Sequence, residues 1–288
     1  MLIITMRYYK EYNMIVRNSI GLLLLFAAAS CKPVIKLSIP EVFAKQATAF
    51  HVQGSHKNKM TVGPYSTSRI KRGLHVSYPG KERHFFYDNL LLNMAGINKQ
   101  ENTVNEKAKF RFALSDSNHK IEIFGREKEV TRKIGYSLLK NNSFLNGIEQ
   151  MEHHSYVFSA LIKTDSLLNG ATWELLMTHL YDREADTSHT LFPYIRSDDN
   201  GVATNGTDSI FIKCISLQHT QGKDGREGKL PFKMLSGYEL STSDGVVAVI
   251  DLFNSDVWLY NELEAKERLI LTGITTALLA RKVNDAKW

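Results

Sequence analysis

Cysteine is scarce in this chain: 2 of 288 residues, Cys31 and Cys214, so no framework of disulfides holds it together. Long apolar runs are missing too. The stretch 20–29 covers 10 residues and the charge-free stretch 269–280 covers 12, both short of the roughly 20 that a membrane-spanning helix needs. Catalytic signatures are also missing. There is no Gly-x-Ser-x-Gly elbow, and none of the 10 histidines sits in a His-Glu-x-x-His pattern, which removes two common hydrolase templates. "MEHHSY" sets His153 beside His154, and strand geometry points such neighbours to opposite faces rather than at one metal ion. "GKDGREG" has spaced glycines without a strand-to-helix setting, so it reads as a hairpin tip and not as a phosphate loop. "SDDNGVATNGTD" lacks the alternating carboxylates of a calcium loop and reads as a turn built on Asn-Gly. No metal and no cofactor is expected.

The apolar run at the front has the length of the hydrophobic core of an export signal, with Arg17 supplying the positive charge ahead of it. Starting from Met14, "MIVRNSIGLLLLFAAASC" has the ordinary proportions of such a leader; the thirteen residues before it are long and tyrosine-rich for the purpose. The run ends in Ala28, Ala29, Ser30 and Cys31, which resembles the lipobox of bacterial lipoproteins, with Ala28 where that family favours Leu. The resemblance implies cleavage before Cys31 and acyl chains on its thiol and amine, enough to make anchoring permanent. Lys32 follows, not the Asp that retains many lipoproteins at the inner membrane. The expectation is therefore an outer-membrane lipoprotein facing the periplasm, with residues 1–30 as signal peptide and 31–46 as a tether interrupted by Pro33 and Pro40.

The net charge of +6 includes Arg7, Lys10 and Arg17 against Glu11, which leave with the leader. What remains is mildly basic, which suits anionic lipid or lipopolysaccharide but is far from the signature of a nucleic-acid partner. With 43% apolar residues the mature chain can fill a full core. From residue 47 onward the dominant period is two. "TAFHVQG" turns into "KMTVGPY"; "KAKFRFALS" alternates Phe110, Phe112 and Leu114 with Lys109, Arg111 and Ala113; "HKIEIFG" follows a turn at 116–118. "SYVFSALIKT", "ATWELLMTHL" and "SIFIKCISL" continue the pattern, and the last of these carries Cys214 between apolar neighbours. "MLSGYELSTSDGVVAVIDLFNSDVWLY" holds three more strands, broken at Asp244-Gly245 and at 254–256. Period two over short runs marks half-buried antiparallel strands. "EVTRKIGYSLLKNN" fits a strand or a helix equally.

The period then changes. Residues 262–282 read as a helix, with Asn261 as N-cap and Glu264 closing a capping box. Leu269, Ile270, Ile274, Ala277 and Leu278 mark its apolar stretch, which leaves no wet face, so protein must surround it. The expected class is mostly β (α+β): one domain over 47–288, an antiparallel barrel or sandwich with a hydrophobic C-terminal helix packed in or across it. The paired strands feeding "NELEAKERLILTGITTALLAR" resemble the end of the tubby C-terminal domain and of the phospholipid scramblases. That resemblance implies a closed barrel threaded by the helix and, from the tubby side, basic side chains that hold an anionic headgroup.

One stretch stands out for charge. "TSRIKRGLHVSYPGKERHFF" carries Arg69, Lys71, Arg72, Lys81 and Arg83, and a hairpin turning at Pro79-Gly80 would bring them together as a candidate anion site. The expected function is a lipid-anchored, non-catalytic envelope protein that binds an anionic partner: a lipid headgroup, a glycan or a protein. Two alternatives stay open. An envelope-polymer hydrolase would need acids such as Glu174, Asp251 and Asp256 to meet in space, and a structural subunit of an envelope assembly would need none.

Overall fold

Phe110, Phe112 and Leu114 are buried while Lys109 and Arg111 are exposed, and this alternation recurs from strand to strand until the sheet meets itself. The computed structural model describes residues 39–55, 57–79, 83–84, 97–138, 148–165, 170–184, 200–221 and 227–281. Internal contacts divide the chain into two units, residues 1–36 with 219–229, and residues 37–218 with 230–288. Of the first, the described residues are strand ends; the fold and the site lie in the second.

The strands are β1 (Ala47–Gln53), β2 (Thr61–Val62), β3 (Tyr65–Thr67), β4 (Lys71–Arg72), β5 (Val76–Pro79), β6 (Arg83–His84), β7 (Ile97–Ser115), β8 (Lys120–Leu138), β9 (Ile148–Thr164), β10 (Thr172–Asp182), β11 (Asn200–Thr204), β12 (Ser209–Gln221), β13 (Glu227–Thr242), β14 (Gly245–Asp251) and β15 (Asp256–Tyr260). Two helices complete the order, α1 (Glu41–Lys45) and α2 (Ala265–Ala280). The sheet runs β3-β2-β1-β15-β14-β13-β12-β11-β10-β9-β8-β7, and β7 pairs back onto β3 through Ser66 opposite Ser115 and Thr67 opposite Leu114. That pairing closes a 12-strand antiparallel barrel. "EVTRKIGYSLLKNN" resolves as the far half of β8 as far as Leu138.

The barrel is filled by α2. All ten residues from Leu269 to Leu278 are buried, and since each step along a helix rotates about 100°, every face is covered. Their core is shared with inward residues of all twelve ring strands, among them Val52, Val62, Tyr65, Phe110, Ile121, Phe158, Leu175, Ala203, Ile210, Tyr238, Ala248 and Val257. Such a helix can only lie in the lumen. Leu269, Ile270, Ile274, Ala277 and Leu278, expected to be enclosed, are each at most 4% exposed. Three threonines share the interior because each satisfies itself on the helix backbone: Thr272 Oγ1 on the Arg268 carbonyl (2.7 Å), Thr275 and Thr276 on that of Thr272 (3.0 and 2.8 Å). Gly273 is a matter of space. A Cβ there would sit 2.6 Å from Ile121 Cδ1, so the helix approaches β8 as closely as it does only without one.

Three expectations need correction. The helix starts later than Asn261 suggests: Glu264 is the N-cap and Glu267 its capping-box partner, with the Glu264 amide donating to Glu267 Oε2 at 3.1 Å. Asn261 instead binds the start of β1, taking the Thr48 hydroxyl at 2.6 Å and donating its amide to the Gln46 carbonyl at 2.9 Å. Second, the tether is not irregular up to residue 46. α1 begins at Glu41, directly after Pro40, and Phe43 is buried against Val249, Trp258 and Tyr260. Val249 and Trp258 alternate with core residues, so α1 covers the outer wall. Third, residues 71–84 form no hairpin at Pro79-Gly80. β4, β5 and β6 lie one after another along β7, with Lys71 opposite Arg111, Pro79 opposite Val104 and Arg83 opposite Glu101.

Where α2 fills the barrel, the described inward residues are predominantly apolar. No helix among the described residues is long and apolar enough to cross a membrane.

Candidate functional site

Antiparallel register sets the outward residues of β4 and β7–β10 into rows. One row runs Lys71, Arg111, Phe124, Leu161, Glu174; the next runs Lys109, Arg126, Ser159, Leu176. The two rows line a concave cleft of about 750 Å³ on the outer wall. The wall thins here because Gly125 and Ala160 are the inward residues behind it. Gly125 has a specific reason: the Phe110 ring lies directly over it, where a Cβ would collide with the ring, a cross-strand arrangement in which the aromatic covers the gap. Phe110 then stacks on Phe112 and Phe158, centroids 6.0 Å apart in each pair.

Charge in the cleft is one-sided. Lys71, Lys109, Arg111 and Arg126 face out, and among the described residues none of them makes an ion pair. Glu174 is the one acid lining the cleft, two strands further on from Phe124. The floor is Phe124, Leu161 and Leu176; Phe124 is 37% and Leu176 is 47% exposed. The Lys163 ammonium lies 5.7 Å from the Phe124 ring centre. Four cations around an apolar floor can hold an anion by charge-assisted bonds while desolvating an apolar body.

Of the five cations singled out in the sequence, the structure brings Lys71 and Arg72 to the lining of this cleft. Arg69 is exposed just ahead of β4. Arg72 is exposed at the cleft, but its guanidinium is committed: Nη1 donates to the Ala280 carbonyl at 2.8 Å and the group lies 5.9 Å from the Phe110 ring centre, so it caps α2. Lys81 and the side chain of Arg83 lie outside the described residues, as does Cys31. Lys109, Arg111 and Arg126 were missed, although their outward alternation was visible; which strands stand side by side was not.

A second cluster lines the interior where α2 ends. Arg281 is buried, donates to the Leu278 carbonyl (3.3 Å) and to the Tyr238 hydroxyl, and lies 4.9–5.8 Å from the ring centres of Tyr238, Phe158 and Tyr156. Tyr156 donates to Glu127 Oε2 at 3.1 Å. Burial above all, aided by the Glu127 carboxylate and opposed by Arg281, pushes the Tyr156 phenol far above its ordinary range. Glu129 takes a bond from His154 Nε2 at 3.1 Å, and the His154 ring tilts against that of His179 at 5.2 Å. His153 faces Asp182 instead, at 3.9 Å; no group of three metal-ligating side chains gathers among the described residues.

The acids named for a hydrolase do not converge. Asp251 accepts the amides of Phe253 and Asn254 and the Asn254 side chain at 2.7–3.1 Å, closing the β14–β15 turn. Asp256 pairs with His51 at 2.8 Å, and Glu174 stands on the outer wall. Cys214 packs part-buried against the core, Tyr65 is in it, Trp258 lies under α1 and Tyr78 is exposed. No protein-family model, curated protein or solved structure matches this chain.

Proposed function

We propose that this is a non-catalytic, lipid-anchored envelope protein, moored through Cys31 at the outer membrane and facing the periplasm, that holds an anionic partner in the outer cleft. One observation carries the binding role: four outward cations without ion pairs among the described residues, set around an apolar floor in a cleft of about 750 Å³. The anchor is supported by the leader and by "AASC". Kinship with the tubby and scramblase group belongs to the same reading; its support is architectural, a closed barrel whose lumen holds a C-terminal helix.

The test is co-sedimentation with vesicles containing anionic lipid and with lipopolysaccharide, comparing wild type with Lys71→Glu/Arg111→Glu. Loss of two contacts and reversal of the local charge should weaken binding at least tenfold, about 1.4 kcal/mol, with a steep salt dependence. Equal binding by the two proteins removes the cleft from consideration. Arg72 is spared because it caps α2. Mass spectrometry of the envelope-extracted protein checks the anchor: diacylated or triacylated Cys31 supports it, and an intact leader refutes it.

A hydrolase keeps one specific observation. Glu127 and Glu129 share the inward face of β8, two residues and so roughly 7 Å apart, a spacing that paired carboxylates use on glycosidic bonds. Each is already engaged, Glu127 by Tyr156 and Glu129 by His154. Release of reducing ends from peptidoglycan, lost in Glu127→Gln, would favour this reading over binding alone.

A further inference from the structure

The outer wall says more about the partner than its charge. Beyond the cations, five neighbouring strands each contribute one outward apolar residue: Phe124 on β8, Leu161 on β9, Leu176 on β10, Val202 on β11 and Phe211 on β12. Phe124 stands opposite Leu161, Leu176 opposite Val202, and Val202 opposite Phe211. Leu161 and Leu176 lie on adjacent strands one pair apart, since Leu161 faces Glu174 and Ser159 faces Leu176. The path is continuous and open to water, with Leu176 at 47% and Phe211 at 56% exposure. Large apolar side chains exposed in line are unusual on a soluble wall.

Polarity runs along this path. Within the two rows, Lys71, Lys109, Arg111 and Arg126 gather at its β4–β7–β8 end, and Glu174 flanks the apolar part on β10. An extended polyanion would meet four cations at the β4–β7–β8 end, an acid in the middle and, beyond the two rows, the single outward Lys213 two residues on from Phe211. A ligand with one anionic end and an apolar body fits the path with its head at the end where four cations gather, against one at the other end. From β8 to β12 is four inter-strand steps, about 19 Å, which accommodates a long acyl chain.

We propose that the cleft binds a single-chain anionic amphiphile, its carboxylate or phosphate head among Lys71, Arg111 and Arg126 and its chain across β8–β12. This rests on the binding role proposed above and names its ligand class. The head end lies on β7 and β8, and β8 is six strands round the ring from β14 in either direction; α1 docks on β14 through Phe43 and Val249.

The experiment is isothermal titration calorimetry on the full chain carrying Cys31→Ser, so that no acyl group of its own competes. The probes are palmitate and hexadecyl phosphate below their micellar concentrations, with hexadecyltrimethylammonium and inorganic phosphate alongside. Both anionic amphiphiles should bind, the tighter of the two identifying the head, while the cationic amphiphile and free phosphate should not. Leu176→Asp and Arg111→Glu, both on the surface and checked for unchanged melting, should each weaken palmitate about tenfold. Palmitate binding that is absent, or indifferent to Leu176→Asp, overturns the proposal. If anionic vesicles or an acidic peptide still bind through Lys71 and Arg111 while both amphiphiles do not, the amphiphile falls and the anionic-partner reading stands. If nothing anionic binds, both fall.

Discussion

Gly273→Ala, alone and with Ile121→Val, tests whether α2 is seated in the barrel at the depth described. Two effects oppose each other in the single variant. Alanine is favoured over glycine inside a helix by about 1 kcal/mol. The new Cβ, however, sits 2.6 Å from Ile121 Cδ1, and Ile121 is fully buried, so it has little room to withdraw. Overpacking of this kind costs about 1–3 kcal/mol, which leaves Gly273→Ala between neutral and about 2 kcal/mol destabilised. Ile121→Val alone loses one buried methyl group at about 0.5–1.5 kcal/mol. Together, the alanine methyl enters the space that Cδ1 vacates, while Ile162 Cγ2, at 3.7 Å, is in ordinary contact. The double variant should therefore be at least as stable as either single one, with a coupling of about 1–2 kcal/mol. Guanidinium titrations followed by tryptophan fluorescence measure all four corners, Trp173 being 6% exposed in the core. In thermal melts the coupling corresponds to roughly 2–4 °C per kcal/mol for a chain of this size. Additivity to within about 0.5 kcal/mol means that residue 273 does not face Ile121, and the seating of the helix is wrong.

At the β7–β8 turn, Asp116 Oδ1 accepts the amides of Asn118 and His119, each at 2.7 Å. Burial is the largest single influence and raises its pKa, but those two amides and the His119 side chain together outweigh it and hold the carboxyl below the ordinary value. A depressed carboxylate adds stability above its unfolded pKa, and this is lost as pH falls through the folded one. Asp116→Ala should thus cost about 1 kcal/mol near neutrality, and the gap from wild type should narrow below about pH 4; a gap that widens in acid contradicts the assignment. Inside the barrel, Arg281→Gln should cost about 3 kcal/mol or more, since the Glu127 carboxylate keeps its burial and loses a nearby countercharge. Glu127→Gln/Arg281→Gln should cost clearly less than the two single variants added together, as read by the same titrations.

Much of the wall was legible because alternation is local. Phe110, Phe112 and Leu114 declare which face of β7 is buried without reference to any other strand. The enclosed helix was legible for the same reason: twelve residues without charge have no dry place but a core. Closure was not legible, for it depends on two residues of β3, Ser66 and Thr67, meeting Ser115 and Leu114 across some fifty positions of chain. The cleft fared likewise. Lys71 was noticed inside a basic stretch, yet its companions Arg111 and Arg126 come from strands whose adjacency only the register reveals. Arg72, the neighbour of Lys71, also lines the cleft, but its guanidinium reaches the Ala280 carbonyl at the end of α2, a contact between distant parts of the chain that no local pattern announces.

Every strand of the ring precedes α2 in the chain, and α2 is the one helix among the described residues that lies in the lumen. Leu269, Ile270, Leu271, Ile274 and Leu278, each at most 4% exposed, contribute on the order of 10 kcal/mol by their burial, as much as the whole margin of a typical domain. A growing polypeptide that has emitted all its β-structure is consequently still a hollow, unlatched sleeve. Its commitment to the native state waits for the plug, so a ribosome-stalled or proteolysed version ending near residue 264 should remain pliable enough to be threaded, chaperoned or degraded, and completion becomes a single late event.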